Sequence, residues 1–237
     1  MNATGIVKPS VATSVPTACL LPLVLLLSLL VVQPLCAQTA TDTLFRSEPI
    51  PDAVFARMQG KSFPRHCTVP RSELRYLRVS HYDREGRVHT GEMVCNKAIA
   101  ADLLDIFREL YAHRYPIERM QLVDDYDADD ERSMRANNTS CFCYRLLTGD
   151  TILSNHAYGC AIDLNPQQNP YVTHLEDGSL FWEHENASDY IDRTRQDVEH
   201  MITEEDDCYR IFTEHGFIWG GNWNSIKDYQ HFQKPIN

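Results

Sequence analysis

The sequence predicts an α+β fold, and three observations predict it. Leu74-Arg75-Tyr76-Leu77-Arg78-Val79 alternates as a strand does, and after a turn at Asp83-Arg84-Glu85-Gly86 the run Val88 to Val94 reads as the return strand of a hairpin. Ile99, Leu103, Phe107 and Leu110 then recur at helical spacing as one apolar stripe. Further on, strands and helices mix without the regular βαβ alternation of a parallel sheet. The expected architecture is a small antiparallel sheet with flanking helices.

Taken in order, the chain opens with a lone Lys8, an almost wholly apolar run from Ala18 to Val32, and Leu35-Cys36-Ala37 with a small residue at a cut position. That is the layout of a secretory signal peptide over residues 1–37, which implies an exported protein, periplasmic or extracellular. The run is shorter than the ~20 residues a span needs, and Pro22 interrupts it. No membrane span is expected once it is removed. Residues 38–73 read as an N-terminal arm, because Pro49, Pro51, Pro64 and Pro70 discourage regular structure. The domain proper is expected over residues 74–237.

Within it, Asn96 is a good N-cap for the helix carrying the Ile99 stripe, and Tyr115-Pro116 stops that helix. Ile117 to Val123 is expected as a strand. Asp124 to Thr139 is too polar for core and is expected as a surface loop. Ser140 to Leu147 returns to strand-like alternation, and Ala161 to Leu164 is a short strand. Residues 165–204 are long, polar and dotted with aromatics, as an active-site flap would be. Cys208, Ile211, Phe212 and His215 share a helix face that Gly216 ends, and Phe217 to Trp219 is a last short strand before a Gly220-Gly221 turn.

The formal net charge of -11 leaves no electrostatic footprint for nucleic acid. Of eight cysteines, six lie beyond the leader: Cys67, Cys95, Cys141, Cys143, Cys160 and Cys208. An even number in an exported chain permits disulfides. No Cys-x-x-Cys pair is present, and Cys141-x-Cys143 would face opposite sides of a strand, so the cysteines read as structural rather than metal-binding.

Two segments carry chemistry. One is Ser154-Asn155-His156-Ala157-Tyr158-Gly159-Cys160-Ala161-Ile162-Asp163-Leu164-Asn165-Pro166. The other is Trp219-Gly220-Gly221-Asn222-Trp223 with Asp228-Tyr229-Gln230-His231-Phe232. Two imidazoles and one carboxylate are an established catalytic set for Zn2+, which needs three protein ligands and one open position. His156, Asp163 and His231 supply that set. Asp228, three residues before His231, can accept a proton from the metal-bound water and return it to a leaving amine. Arg145 offers a fixed positive fork for a carboxylate. Trp219 and Trp223 are expected to pack the core and cleft wall beneath His231. Asn137 and Asn138 are expected to cap the loop, with contact to substrate as the other reading.

Ser154-x-His156-x-x-Gly159-x-Ala161-x-Asp163, followed by the Trp219 and Asp228-x-x-His231-Phe232 segments, resembles the M15 metallopeptidases. The likeness is to the D-alanyl-D-alanine carboxypeptidase and L-alanyl-D-glutamate peptidase group, from about Leu74 to Gln233. The resemblance implies one zinc on His156, Asp163 and His231, Asp228 as general base, and Arg145 at the substrate carboxylate or oxyanion, with Ser140 near it. It implies the α+β fold shared with the hedgehog signalling domain, and peptidoglycan stem peptides as substrate. One departure is Cys160, where a longer or charged side chain is usual; a bridge from it to Cys143 or another cysteine would staple the cleft.

A zinc-containing binding domain without turnover is the other reading, since hedgehog relatives keep fold and metal for recognition. Asp228 and Arg145 favour the enzyme. Which peptide bond is cut, and the oligomeric state, are not legible in the sequence.

Overall fold

A computed structural model describes residues 44–147, 149–195, 197–198 and 200–236. The leader read over residues 1–37 lies outside them. The described chain is a mixed α/β structure of several small, mainly antiparallel sheets and a few short helices.

The hairpin expected from the alternation forms as β2 (Leu74–Tyr82) and β3 (Val88–Asn96), in antiparallel register with Leu77 opposite Met93 and Tyr76 opposite Val94. Because side chains alternate across a strand, the two faces diverge. Leu77, Val79, Met93 and Cys95 face α2 (Ala100–Ala112), whose Leu103, Ile106, Phe107 and Leu110 are fully buried against them. That core continues into α4 (Asp207–Glu214) through Cys208, Ile211 and Phe212, and on to Trp219 and Phe232. Leu74, Tyr76 and Val94 face the other way.

What covers that second face is the stretch read as an irregular arm. β1 (Phe45–Glu48) pairs with β2, and α1 (Asp52–Met58) lays Val54 and Met58 beside Ile50, Leu74, Val94, Leu122 and Phe142. The prolines do not abolish structure there. Pro51 sits at the N-cap of α1 and Pro70 at the start of a 3-10 turn, positions that need no backbone N–H.

Other expectations shift in detail. Asn96 ends β3 instead of capping α2; its Oδ1 accepts from Ala98 N–H in the turn before the helix. Arg114, in the left-handed region at φ 54°, ends α2 ahead of Pro116. The strand expected over Ile117–Val123 shrinks to β4 (Arg119–Met120), paired in parallel with β5 (Asn138–Thr139).

The polar stretch Asp124–Thr139 is not a solvated loop. It folds as a 3-10 turn, then α3 (Asp130–Arg135), then β5, and Asp124, Ser133, Asn137, Asn138 and Thr139 are buried. Partners offset the burial of these polar groups. Asp124 accepts from the Ser62 N–H and hydroxyl, Asn138 bonds Gln121 and Ser133, and Asn137 holds Gln167 and Gln168. Ser140–Leu147 forms no continuous strand, only single bridges from Ser140 to Asp163 and from Leu146 to Leu153.

Two three-stranded sheets complete the fold. β6 (Ala161–Asp163), β11 (His231–Gln233) and β9 (Ile218–Trp219) form one, with β11 central. β10 (Ile226–Asp228), β7 (Tyr171–His174) and β8 (Leu180–Trp182) form the other, with β7 central. The flap thus contains a hairpin.

The expected disulfides are not found. All six cysteines beyond the leader are free, Cys160 and Cys143 included. Cys95, Cys141 and Cys208 pack inside the main core as small apolar side chains, where burial pushes their thiols up. Among the described residues no helix is long and apolar enough to cross a membrane.

Candidate metal centre

His156 is positioned by a single 3-10 turn, Asn155–Tyr158. Ser154 caps it, its hydroxyl accepting from the His156 N–H, and Gly159 reverses the chain at φ 67°. A side chain could not take that place. The conformation favours glycine, and a Cβ would lie 2.7 Å from the Asn96 nitrogen. The chain then enters β6, which ends at Asp163.

His231 begins β11 directly opposite Asp163 in the antiparallel register. Opposed residues project from the same face of a sheet, so strand pairing alone brings these two side chains together. The carboxylate meets both imidazoles, Oδ1 at 3.0 Å from His231 Nδ1 and Oδ2 at 3.0 Å from His156 Nε2. The two ring nitrogens are 3.3 Å apart. His156, Asp163 and His231 are all buried, and one potential ligand atom from each lies within 4.8 Å of the others.

The far nitrogens decide the tautomers. His156 Nδ1 is 2.7 Å from the Cys141 carbonyl, which can only accept, so it carries the proton and leaves Nε2 as a lone pair. His231 Nε2 lies 3.1 Å from Gln233 Oε1, an oxygen also bonded by the Asn155 amide, which leaves Nδ1 inward. Two lone pairs and a carboxylate at this spacing need a cation or a proton among them. Burial pulls the His231 imidazole down, but its hydrogen bond to Asp163 and the Asp163 and Asp228 charges outweigh that and hold it at about 9. Burial likewise works against the Asp163 carboxylate, and the two imidazoles overcome it, holding its pKa well below the usual range. These donors fit a divalent ion of zinc type, with the carbonyl and amide behind the imidazoles fixing their orientation.

Asp228 ends β10, with Oδ2 3.9 Å from His231 Nδ1 and Oδ1 buried without a partner. Burial, with Asp163 nearby and against the pull of His231 and His156, raises its carboxyl to about 7. Gly220 lets the Asp228 backbone close over it, since a Cβ there would lie 2.6 Å from the Asp228 carbonyl oxygen and 3.2 Å from His231 Cβ. Trp219 is buried and donates its indole N–H to the Tyr229 carbonyl, while Trp223 stands 5.3 Å from the His231 ring, between centroids.

Arg145 stands upstream of the first motif, held by Asp130 through a 2.5 Å ion pair, with Nε buried and unpartnered. Burial opposes its charge, and Asp130 and Asp163 outweigh that. Ser140 pairs with Asp163 through the main chain, N–H to carbonyl in both directions at 3.0 Å. It thereby fixes the strand end that carries Asp163.

Residues 148–234 match a family model described as D-alanyl-D-alanine carboxypeptidase. Over that segment the chain is similar to M15 peptidases. The matched segment holds His156, Asp163, Asp228 and His231, while Ser140 and Arg145 lie upstream of it. No curated protein and no solved structure matched the chain.

Sequence reasoning singled out neither Gln233, Asp130 nor Glu183 near this site. Gln233 follows the motif by two residues and could have been read as the partner of His231. Nothing in the sequence marks Glu183, which comes from the flap; its carboxyl is pushed up to about 8 by burial and by Asp228, Asp130 and Asp163.

Proposed function

We propose that the protein is an exported zinc peptidase that hydrolyses peptidoglycan stem peptides, as a D-alanyl-D-alanine carboxypeptidase or an L-alanyl-D-glutamate endopeptidase. The observation that carries the reading is a buried acceptor, Asp228 Oδ1, with no partner of its own, beside a converging His156, Asp163 and His231 in the M15 segment. The apolar run Ala18–Val32 supports export. The division into small sheets and short helices is compatible with the fold shared by hedgehog and DD-peptidase domains.

His156 Nε2, an Asp163 oxygen and His231 Nδ1 would hold the ion, which when bound polarises a scissile carbonyl and acidifies a water. Asp228 receives the proton of the attacking water at its free oxygen and delivers it to the leaving amine. A carboxyl raised to about 7 is matched to doing both near neutral pH. Cys141 and Gln233 keep the imidazoles from rotating. Arg145 provides a cation for the substrate carboxylate or the oxyanion, already steadied by Asp130.

Metal content and amino-acid release from muropeptides test this together. The expected result is about one zinc per chain, as one such ligand set implies, with release abolished by chelation. Asp228→Ala is expected to keep the metal and lose about 100- to 10,000-fold in turnover. Unchanged turnover in that variant would remove Asp228 from its role. A zinc-loaded chain that releases nothing from any muropeptide would instead be a binding domain.

A further inference from the structure

The sheet formed by β10, β7 and β8 places a second carboxylate in line with Asp228. Asp228 is opposite Tyr171, and Val172 is opposite Trp182, so Glu183 falls next to Tyr171 on the far side. Its N–H reaches the Tyr171 carbonyl at 3.3 Å. Opposed residues share a face, so Asp228, Tyr171 and Glu183 form one row across about two strand spacings, ~10 Å. Burial pushes the Tyr171 hydroxyl up, and the Glu183 and Asp228 charges add to that. The Glu183 carboxylate makes no hydrogen bond or ion pair among the described residues.

Glu183 also lines a cavity of about 660 Å³, with Asp130, Met134, Phe181, Trp182 and His184 among its neighbours. Two residues therefore connect the cavity to the metal centre: Glu183 along the row to Asp228, and Asp130 through Arg145. The cation in the cavity wall, Arg135, is paired with Glu131.

His184 gives an independent indication of what the cavity takes. It is 6% exposed and holds a positive φ of 51°. Asn186 donates its amide to the Arg135 carbonyl at 3.0 Å, which leaves Asn186 Oδ1 to accept from His184 Nδ1 at 3.0 Å. The proton is therefore on Nδ1. His184 Nε2 is a lone pair with no partner, and burial keeps the imidazole neutral. The cavity is thus lined by carboxylates and aromatic side chains, its lining residue His184 holds a buried acceptor nitrogen without a partner, and its guanidinium is already paired. The complement is an ammonium on an apolar stem.

We propose that this cavity is a subsite for an ammonium-bearing side chain of the substrate peptide, with Glu183 as its counter-ion. The inference rests on the peptidase reading for the ligand's being a peptide.

The test is calorimetric titration of the full chain at about pH 9, where Glu183 and a lysine ammonium are both charged, and freed of metal so that nothing is cleaved, with Nα-acetyl-lysyl-D-alanyl-D-alanine and with its norleucyl analogue. The two differ in the side-chain ammonium. The wild-type chain is expected to bind the lysyl peptide at least about tenfold tighter, the scale of one desolvated charge pair. Glu183→Gln, an isosteric change, should bring the ratio below about threefold while leaving affinity for the norleucyl peptide within about twofold. Equal binding, or no measurable binding of either peptide to the wild-type chain, overturns the inference; so does a preference that survives in Glu183→Gln. A chain that loads zinc and cleaves both peptides alike loses this inference alone. One that selects the lysyl peptide but hydrolyses nothing when loaded loses the peptidase reading alone.

Discussion

Asp163 and Glu183 show how differently two carboxylates near one centre are treated. Asp163 has an imidazole on each oxygen, and its negative charge is held. Glu183 is buried, with other carboxylates for neighbours and Arg145 only partly offsetting them, so its folded pKa of about 8 stands above its ordinary 4.5. The consequence for stability has a definite sign. Between those two values the folded state binds a proton that the unfolded state has released, so the metal-free protein loses stability as pH rises from 4.5 to 8. Glu183→Gln removes the titration. The variant is expected to be more stable than the parent at pH 8 by on the order of 1 kcal/mol, with the gap closing toward pH 4.5, as read by urea unfolding across the pH series. A gap that does not change with pH would show that Glu183 does not titrate in this window. The sequence contained no signal for this residue, because a lone Glu in a polar flap is indistinguishable from a solvated one until the sheet register is known.

Short elements, each supported by neighbours, set the site's geometry. β6 and β11 are three residues each, yet their register puts Asp163 against His231, and the Ser140 bridge extends the pairing on the other edge of Asp163. A one-residue slip would turn every side chain of β11 to the opposite face. Gly220 guards the approach of β10 to β11. Gly220→Ala places a methyl 2.6 Å from the Asp228 carbonyl oxygen, a backbone atom that cannot swing aside. The expected outcome is a loss of at least about tenfold in turnover, since ångström-scale misplacement of reacting groups is costly. Circular dichroism should retain the secondary structure. Full activity in the alanine variant would mean that β10 can move without disturbing Asp228. The glycine pair was legible in the sequence as a turn; its closeness to the carboxylate was not.

The molecule as a whole has a main core behind the candidate metal centre and a smaller one on the opposite face of the hairpin. Met58 is 1% exposed at the centre of the smaller one, packed with α1 against Leu74, Val94 and Phe142. Met58→Ala should cost about 2–5 kcal/mol in unfolding free energy, the usual range for emptying a buried methionine site. The measurement is a urea titration of the metal-free chain. A cost below about 0.5 kcal/mol, the scale of a surface change, would show that β1 and α1 sit on the domain without stabilising it. The prolines and weak periodicity of this stretch had pointed to an irregular arm. Helix α1 is seven residues long, too short for its period to register, and its stability comes from the surface it covers.

Local pattern determined the hairpin β2–β3, the α2 stripe, the α4 face with its Gly216 stop, and the two ordered motifs that bring His156, Asp163, His231 and Asp228 into view. Each is written in contiguous residues, where period, turn chemistry and spacing act directly. Tertiary structure decided the rest. It buried the polar stretch 124–139 by giving its side chains partners from distant segments, left six thiols unpaired with three of them inside the main core, assigned the imidazole tautomers through Cys141 and Gln233, and brought Glu183 into line with Asp228. Apart from the His231–Gln233 contact, those outcomes depend on pairings between residues far apart in the chain. No short window of sequence contains both members of such a pair.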